Sequence, residues 1–177
     1  METHLYVEDP RDPETGQQFT PGPIRLAEHQ KRILREALAK DENGLFKYST
    51  VVYSSIKKSG KTRIAAGVAA WFAATQGPFQ EIYCLANDGK QSSDRILSAV
   101  KKAVSLNPML ASGPYSWKTT KTQIVLPNQA FIEAIPCDPK GSAGSNPSLT
   151  VWCFDEETSI LTKNHGWQGP AWLQEHP

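Results

Sequence analysis

Apolar and polar positions alternate along the chain in two periods, short continuous runs and longer helical stripes. "STVVYSS" (49–55) is β-branched and apolar, which predicts a buried strand. In residues 61–75, Ile64, Val68, Trp71 and Phe72 recur at i, i+4, i+7 and i+8, a helical stripe that "TQGP" then stops. "EIYCLA" (81–86) predicts the next strand, and a helix from about Asp88 to Val104 would bury Ile96, Leu97, Val100 and Val104. "QIVLPNQAFIEAI" reads as a hairpin about a Pro-Asn-Gln turn, and "LTVW" (149–152) as a further buried strand. Upstream, a helix from about Ile24 to Lys40 carries Leu26, Ile33, Leu34 and Ala37 on one stripe and ends at "DENG". Residues 1–23 are proline-rich and poor in apolar side chains, so they predict a flexible N-terminal arm. Strands alternating with helices predict an α/β fold, a parallel or mixed sheet with helices on its faces.

Composition adds bounds. The 177 residues suffice for one medium domain with a real core. A hydrophobic content of 39% and a mean hydropathy of -0.45 fit an ordinary soluble chain. No apolar run is long enough to cross a bilayer, and the polar start "METHLYVEDP" predicts no signal peptide. Three scattered cysteines, Cys84, Cys137 and Cys153, make neither a disulfide framework nor a zinc site. Net charge is +1 but uneven: residues 1–152 hold 18 Lys+Arg against 14 Asp+Glu, and residues 153–177 hold one Lys against four acids. The character of the chain changes at Cys153.

The strongest chemical signal is "SSIKKSGKT" (54–62). From Ser55, four residues precede Gly60-Lys61-Thr62, the spacing of a phosphate loop with Ser in place of its first Gly. Such a loop turns backbone N–H groups toward phosphate oxygens at a helix N-terminus. Ser55, Lys57, Lys58, Ser59, Gly60, Lys61 and Thr62 are therefore the candidate nucleotide-binding residues. Lys61 would reach the β- and γ-phosphates, and the Thr62 hydroxyl would sit on Mg²⁺. Lys57 is either a solvated lysine or a cation supplied in cis to neutralise transition-state charge. Gln30, on the stripe of the first helix, is either a half-exposed polar residue or a carboxamide pairing with both edges of adenine. ATP and Mg²⁺ are the implied cofactors.

At residues 24–152 the chain resembles the ATPase domain of a phage terminase large subunit. The resemblance rests on the order of "RLAEHQKRIL", "SSIKKSGKT", "CLANDGKQSSDRI" and "GSAGSNPSLTVW". It implies a P-loop NTPase of the RecA/ASCE-like type, a three-layer sandwich with a mostly parallel sheet. It also implies hydrolysis that drives double-stranded viral DNA into a capsid, with portal and small terminase as partners, in the cytoplasm of an infected bacterial host. Lys57 stands where that family usually has Arg, and the family's nuclease domain is not contained in these residues.

Two readings of "TVWCFDEETSILT" (150–162) remain open. In the uninterrupted one, Cys153 and Phe154 extend the strand, and Asp155 and Glu156 are the acidic pair that holds Mg²⁺ and orients the attacking water. In the interrupted one, residues 153–177 resemble the N-terminal splicing block of a split intein. The match lies in Cys153 at the start, Thr158 at the sixth position, a short β-run at Ile160-Leu161-Thr162 and a turn containing Gly166. That resemblance implies a fragment without an independent fold, a complementary C-intein partner carrying the rest of the terminase, and trans-splicing at Trp152–Cys153. The interrupted reading is the preferred one. A non-catalytic P-loop module that only binds nucleotide is a further alternative.

Overall fold

The computed structural model describes residues 5–55, 59–86, 93–136, 147–152, 160–162 and 166–168. Five strands form the main sheet: β3 (Glu81–Ala86), β4 (Lys118–Thr119), β5 (Gln123–Val125), β6 (Phe131–Pro136) and β7 (Leu149–Trp152), in the order β4-β5-β6-β3-β7. β3 lies between β6 and β7 and is parallel to both, with Cys84 opposite Ala134 on one side and Val151 on the other. A central strand flanked on both edges reads as a largely apolar run, which is how "EIYCLA" reads. Ile82 and Cys84 are fully buried there. β5 pairs antiparallel with β4 and β6, so the sheet is mixed rather than mostly parallel.

The β5–β6 hairpin turns at Pro127-Asn128-Gln129, as expected, with Gln129 at a φ of 64°. Its tip also closes a helix. The Asn128 amide donates to the carbonyls of Ala73 (2.9 Å) and Gly77 (3.2 Å), groups left without intrahelical partners where α2 (Lys61–Thr75) ends. α2 buries Ala66, Gly67, Ala69 and Ala73, small residues that let it lie close to the sheet, together with Ile64 and Phe72. Beside it run a π-helical turn (Ser93–Leu97), α3 (Ser98–Leu106) and a short α4 (Pro108–Ala111), capped by the buried Asn107 through the Met109 N–H. Ile96, Leu97, Val100 and Val104 are buried as the stripe predicted. Leu97→Ala would leave a cavity between these layers, and about 2–5 kcal/mol of stability should be lost. A urea-unfolding midpoint measures this directly.

The N-terminal residues depart from expectation. β1 (Tyr6–Val7) pairs antiparallel with β2 (Gly22–Pro23), and Leu5, Val7, Ile24 and Leu26 form a second core cluster with Ile64 and Ala103. Ion pairs join Glu8 to Lys102 (3.3 Å) and Asp9 to Arg63. Residues 5–26 are thus a packed strap across α2 and α3, not a flexible arm; four apolar side chains suffice to anchor it despite the prolines. The first helix is shorter than predicted, α1 spanning Glu28–Ala37. Leu26 is buried but precedes it, whereas Ile33 on the predicted stripe is 38% exposed.

The segment 49–55 is the larger correction. It forms no strand, and Val51 and Val52 are 51% and 42% exposed. β-Branched composition favours a strand only where a neighbour completes the ladder, and no strand pairs with it among the described residues. β8 (Ile160–Thr162) and β9 (Gly166–Gln168) form a separate antiparallel pair. Among the described residues, no helix is long and apolar enough to cross a membrane.

Candidate functional site

Gly60 caps the N-terminus of α2 at φ 85° and ψ 12°, a left-handed conformation that glycine adopts without strain. The 15-residue helix behind it places a partial positive charge at this end, and its first turn contains no acidic residue. Lys61 opens the helix and reaches back, its Nζ donating to the Ser55 carbonyl at 2.5 Å. The two ends of the predicted loop are therefore held together by the lysine that would contact phosphate. Thr62 follows in the first turn, half-buried. Ile56, Lys57 and Lys58 lie outside the described residues.

Two further features complete the geometry of this site. The Ser59 Oγ is buried and has no hydrogen-bond partner among the described residues. A buried hydroxyl without a partner is uncommon, and a phosphate oxygen is an acceptor that would satisfy it. The second is Gln30, the third residue of α1. Its Oε1 accepts from the Ala27 N–H at 3.0 Å, and its Nε2 donates to the Ser59 carbonyl at 3.4 Å. The structure thus brings Gln30 to the loop, with its carboxamide turned onto main-chain groups. Its spacing three residues after the cap was the available signal, since that position is suited to reach back over the helix start.

Sheet topology relates the loop to the end of β7. Only five residues separate α2 from β3, and α2 packs on the sheet, so helix and strand run in opposite directions. The start of α2 therefore lies toward the end of the sheet where β3 and β7 finish. Trp152 pairs with Leu85 at that end. Cys153, Asp155, Glu156 and Thr158 lie outside the described residues.

The donor set fits a triphosphate: a helix N-terminus and a lysine at its first residue, with the Ser59 hydroxyl in the same turn lacking a partner among the described residues. For Mg²⁺ the described residues offer the Thr62 hydroxyl alone, and no group of three or more His, Cys, Asp or Glu among them could hold a metal. Mg²⁺ bound chiefly through phosphates and water needs no such group. An apolar cavity lies elsewhere in the molecule. It measures about 300 Å³ between α2, α3 and the hairpin, with Trp71, Val104, Leu110 and Trp117 in its walls. The Asn128 amide at its rim is engaged by α2, leaving apolar walls with little to orient a polar ligand.

No family model and no curated protein matches this chain. A solved structure does: the HK97 bacteriophage large terminase, with a TM-score of 0.62 over 92% of this chain. The fold is similar to that of a phage large terminase. Sequence identity over the match is 19%, and the chain spans about a third of that protein's length, 32%. The match takes in the mixed α/β architecture expected from the sequence, and at this identity the likeness is one of fold.

Proposed function

We propose that the chain is the first part of a P-loop ATPase of a viral DNA-packaging motor. In this reading residues 24–152 are part of the ATPase domain, a RecA/ASCE-like sandwich once complete, and residues 153–177 are the N-terminal fragment of a split intein. The observation that carries the ATPase reading is the turn at Gly60, where Lys61 spans the loop to Ser55 at the start of a 15-residue helix. Similarity of fold to a large terminase supports the packaging role. Bound ATP with Mg²⁺ would supply the hydrolysable phosphate bond. Lys61 would exchange its bond to the Ser55 carbonyl for phosphate, Thr62 would offer its hydroxyl to the metal, and Lys57 would add a second cation. Double-stranded DNA, a portal and a small terminase are the partners of the completed motor, in an infected bacterial host.

The junction would work through Cys153. Its thiolate attacks the Trp152 carbonyl carbon, the C–N bond breaks, and the freed Cys153 amine takes up a proton, leaving a thioester. A Cys, Ser or Thr on the partner chain then displaces the Cys153 sulfur from that acyl group. The tail's own ladder, β8 with β9, supports the expected short β-run, while Gly166, expected in a turn, is the first residue of β9.

One observation favours the uninterrupted reading. The terminase match covers 92% of 177 residues, more than the 152 that precede Cys153, so part of the tail falls within its span. Steady-state hydrolysis separates the two readings. The spliced-precursor reading predicts Mg·ATP binding without turnover by the isolated chain. Turnover that Glu156→Gln abolishes would establish Asp155 and Glu156 as the acidic pair.

A further inference from the structure

Gln30, a candidate for reading adenine, is committed to the backbone at both ends of its carboxamide. The Gln30 Oε1 closes the start of α1 on the Ala27 N–H, and Nε2 reaches across 29 positions to the Ser59 carbonyl. Flipping the amide would set nitrogen against N–H and oxygen against C=O, so the pairing itself fixes its orientation. The Ser59 carbonyl and the Gly60 N–H belong to one planar peptide unit, and no cis peptide occurs among the described residues. In a trans peptide these two groups point in opposite directions. Holding the carbonyl toward α1 therefore turns the Gly60 N–H away from α1, immediately before the left-handed residue that starts α2. Ala27 has no side-chain oxygen with which to cap its own helix, so Gln30 serves two elements at once.

We propose that Gln30 is a positioning residue for the phosphate loop, acting on the triphosphate whatever base it carries. This rests on the reading of residues 55–62 as that loop. The 3.4 Å separation sets a modest effect, the net worth of one ordinary hydrogen bond, or about 3- to 10-fold in affinity. A base-reading glutamine would instead discriminate ATP from GTP and leave a ligand without a base untouched.

Equilibrium binding of Mg·ATP, Mg·GTP and Mg·tripolyphosphate to the full chain tests the proposal. Gln30→Ala should weaken all three alike. Gln30→Glu keeps an oxygen for the Ala27 N–H but cannot donate to Ser59. It should weaken all three alike with a thermal midpoint close to the parent chain, and at high ionic strength, where carboxylate–phosphate repulsion is screened. If Gln30→Ala fails to fold, the glutamate variant carries the test. Loss confined to ATP, or unchanged binding of all three in a folded variant, overturns the proposal while the loop reading stands. If the parent chain binds none of the three, or Lys61→Ala binds them as well as the parent, the loop reading fails and this inference with it.

Discussion

Lys61→Ala is expected to lower Mg·ATP affinity by about 10- to 100-fold while leaving the fold intact. A hydrogen bond from an ammonium to a charged oxygen is worth about 1.5–3 kcal/mol net, and each 1.4 kcal/mol is about a tenfold change. The expected loss therefore exceeds that from any neutral contact in the loop. The side chain now donates to the Ser55 carbonyl, so binding phosphate exchanges one acceptor for a stronger one. Lys61 lies in the first turn of α2, outside the buried face formed by Ile64, Ala66, Ala69, Phe72 and Ala73. Calorimetric titration should show the affinity loss, and far-ultraviolet circular dichroism should be unchanged. Lys61→Arg should not restore binding fully, because a planar fork replaces a compact ammonium.

Cys153→Ala has the larger expected effect, an all-or-none loss of ligation with a C-intein partner. Alanine has no nucleophile, so the Trp152 carbonyl would remain an amide and no acyl group would become available for transfer. Gel analysis of the mixture should show the joined product with the parent chain and none with the variant. Glu156→Gln should leave ligation unaffected, since the carboxylate has no part in the acyl shift. If Cys153→Ala ligates as the parent does, splicing at this junction is refuted.

Much of the fold was legible because local period and tertiary role agree. α2 occupies Lys61–Thr75 as its stripe indicates, and "EIYCLA" and "LTVW" become β3 and β7 at their predicted bounds. β3, flanked by β6 and β7, is buried as expected, whereas β7 at the sheet edge is less buried than expected, with Leu149 and Val151 half-buried and Thr150 exposed. The segment 49–55 has the same composition without a pairing strand among the described residues, and composition cannot report that. Residues 5–26 failed in the opposite direction. Prolines advertise irregular backbone but not where Leu5, Val7, Ile24 and Leu26 are placed, and these four make the strap. In the candidate site, spacing singled out Lys61 and Thr62, which the structure places at the start of α2. The second bond of Gln30 escaped it because the Ser59 carbonyl is a partner that only the folded chain brings near.

The most direct test of the central claim is the intact mass of the chain after incubation with the polypeptide that carries the intein remainder and the rest of the terminase. The account predicts a new species in which residues 1–152 are joined through Trp152 to the downstream sequence, with residues 153–177 absent from it. An unaltered chain that retains Cys153 and hydrolyses ATP through Asp155 and Glu156 would contradict it.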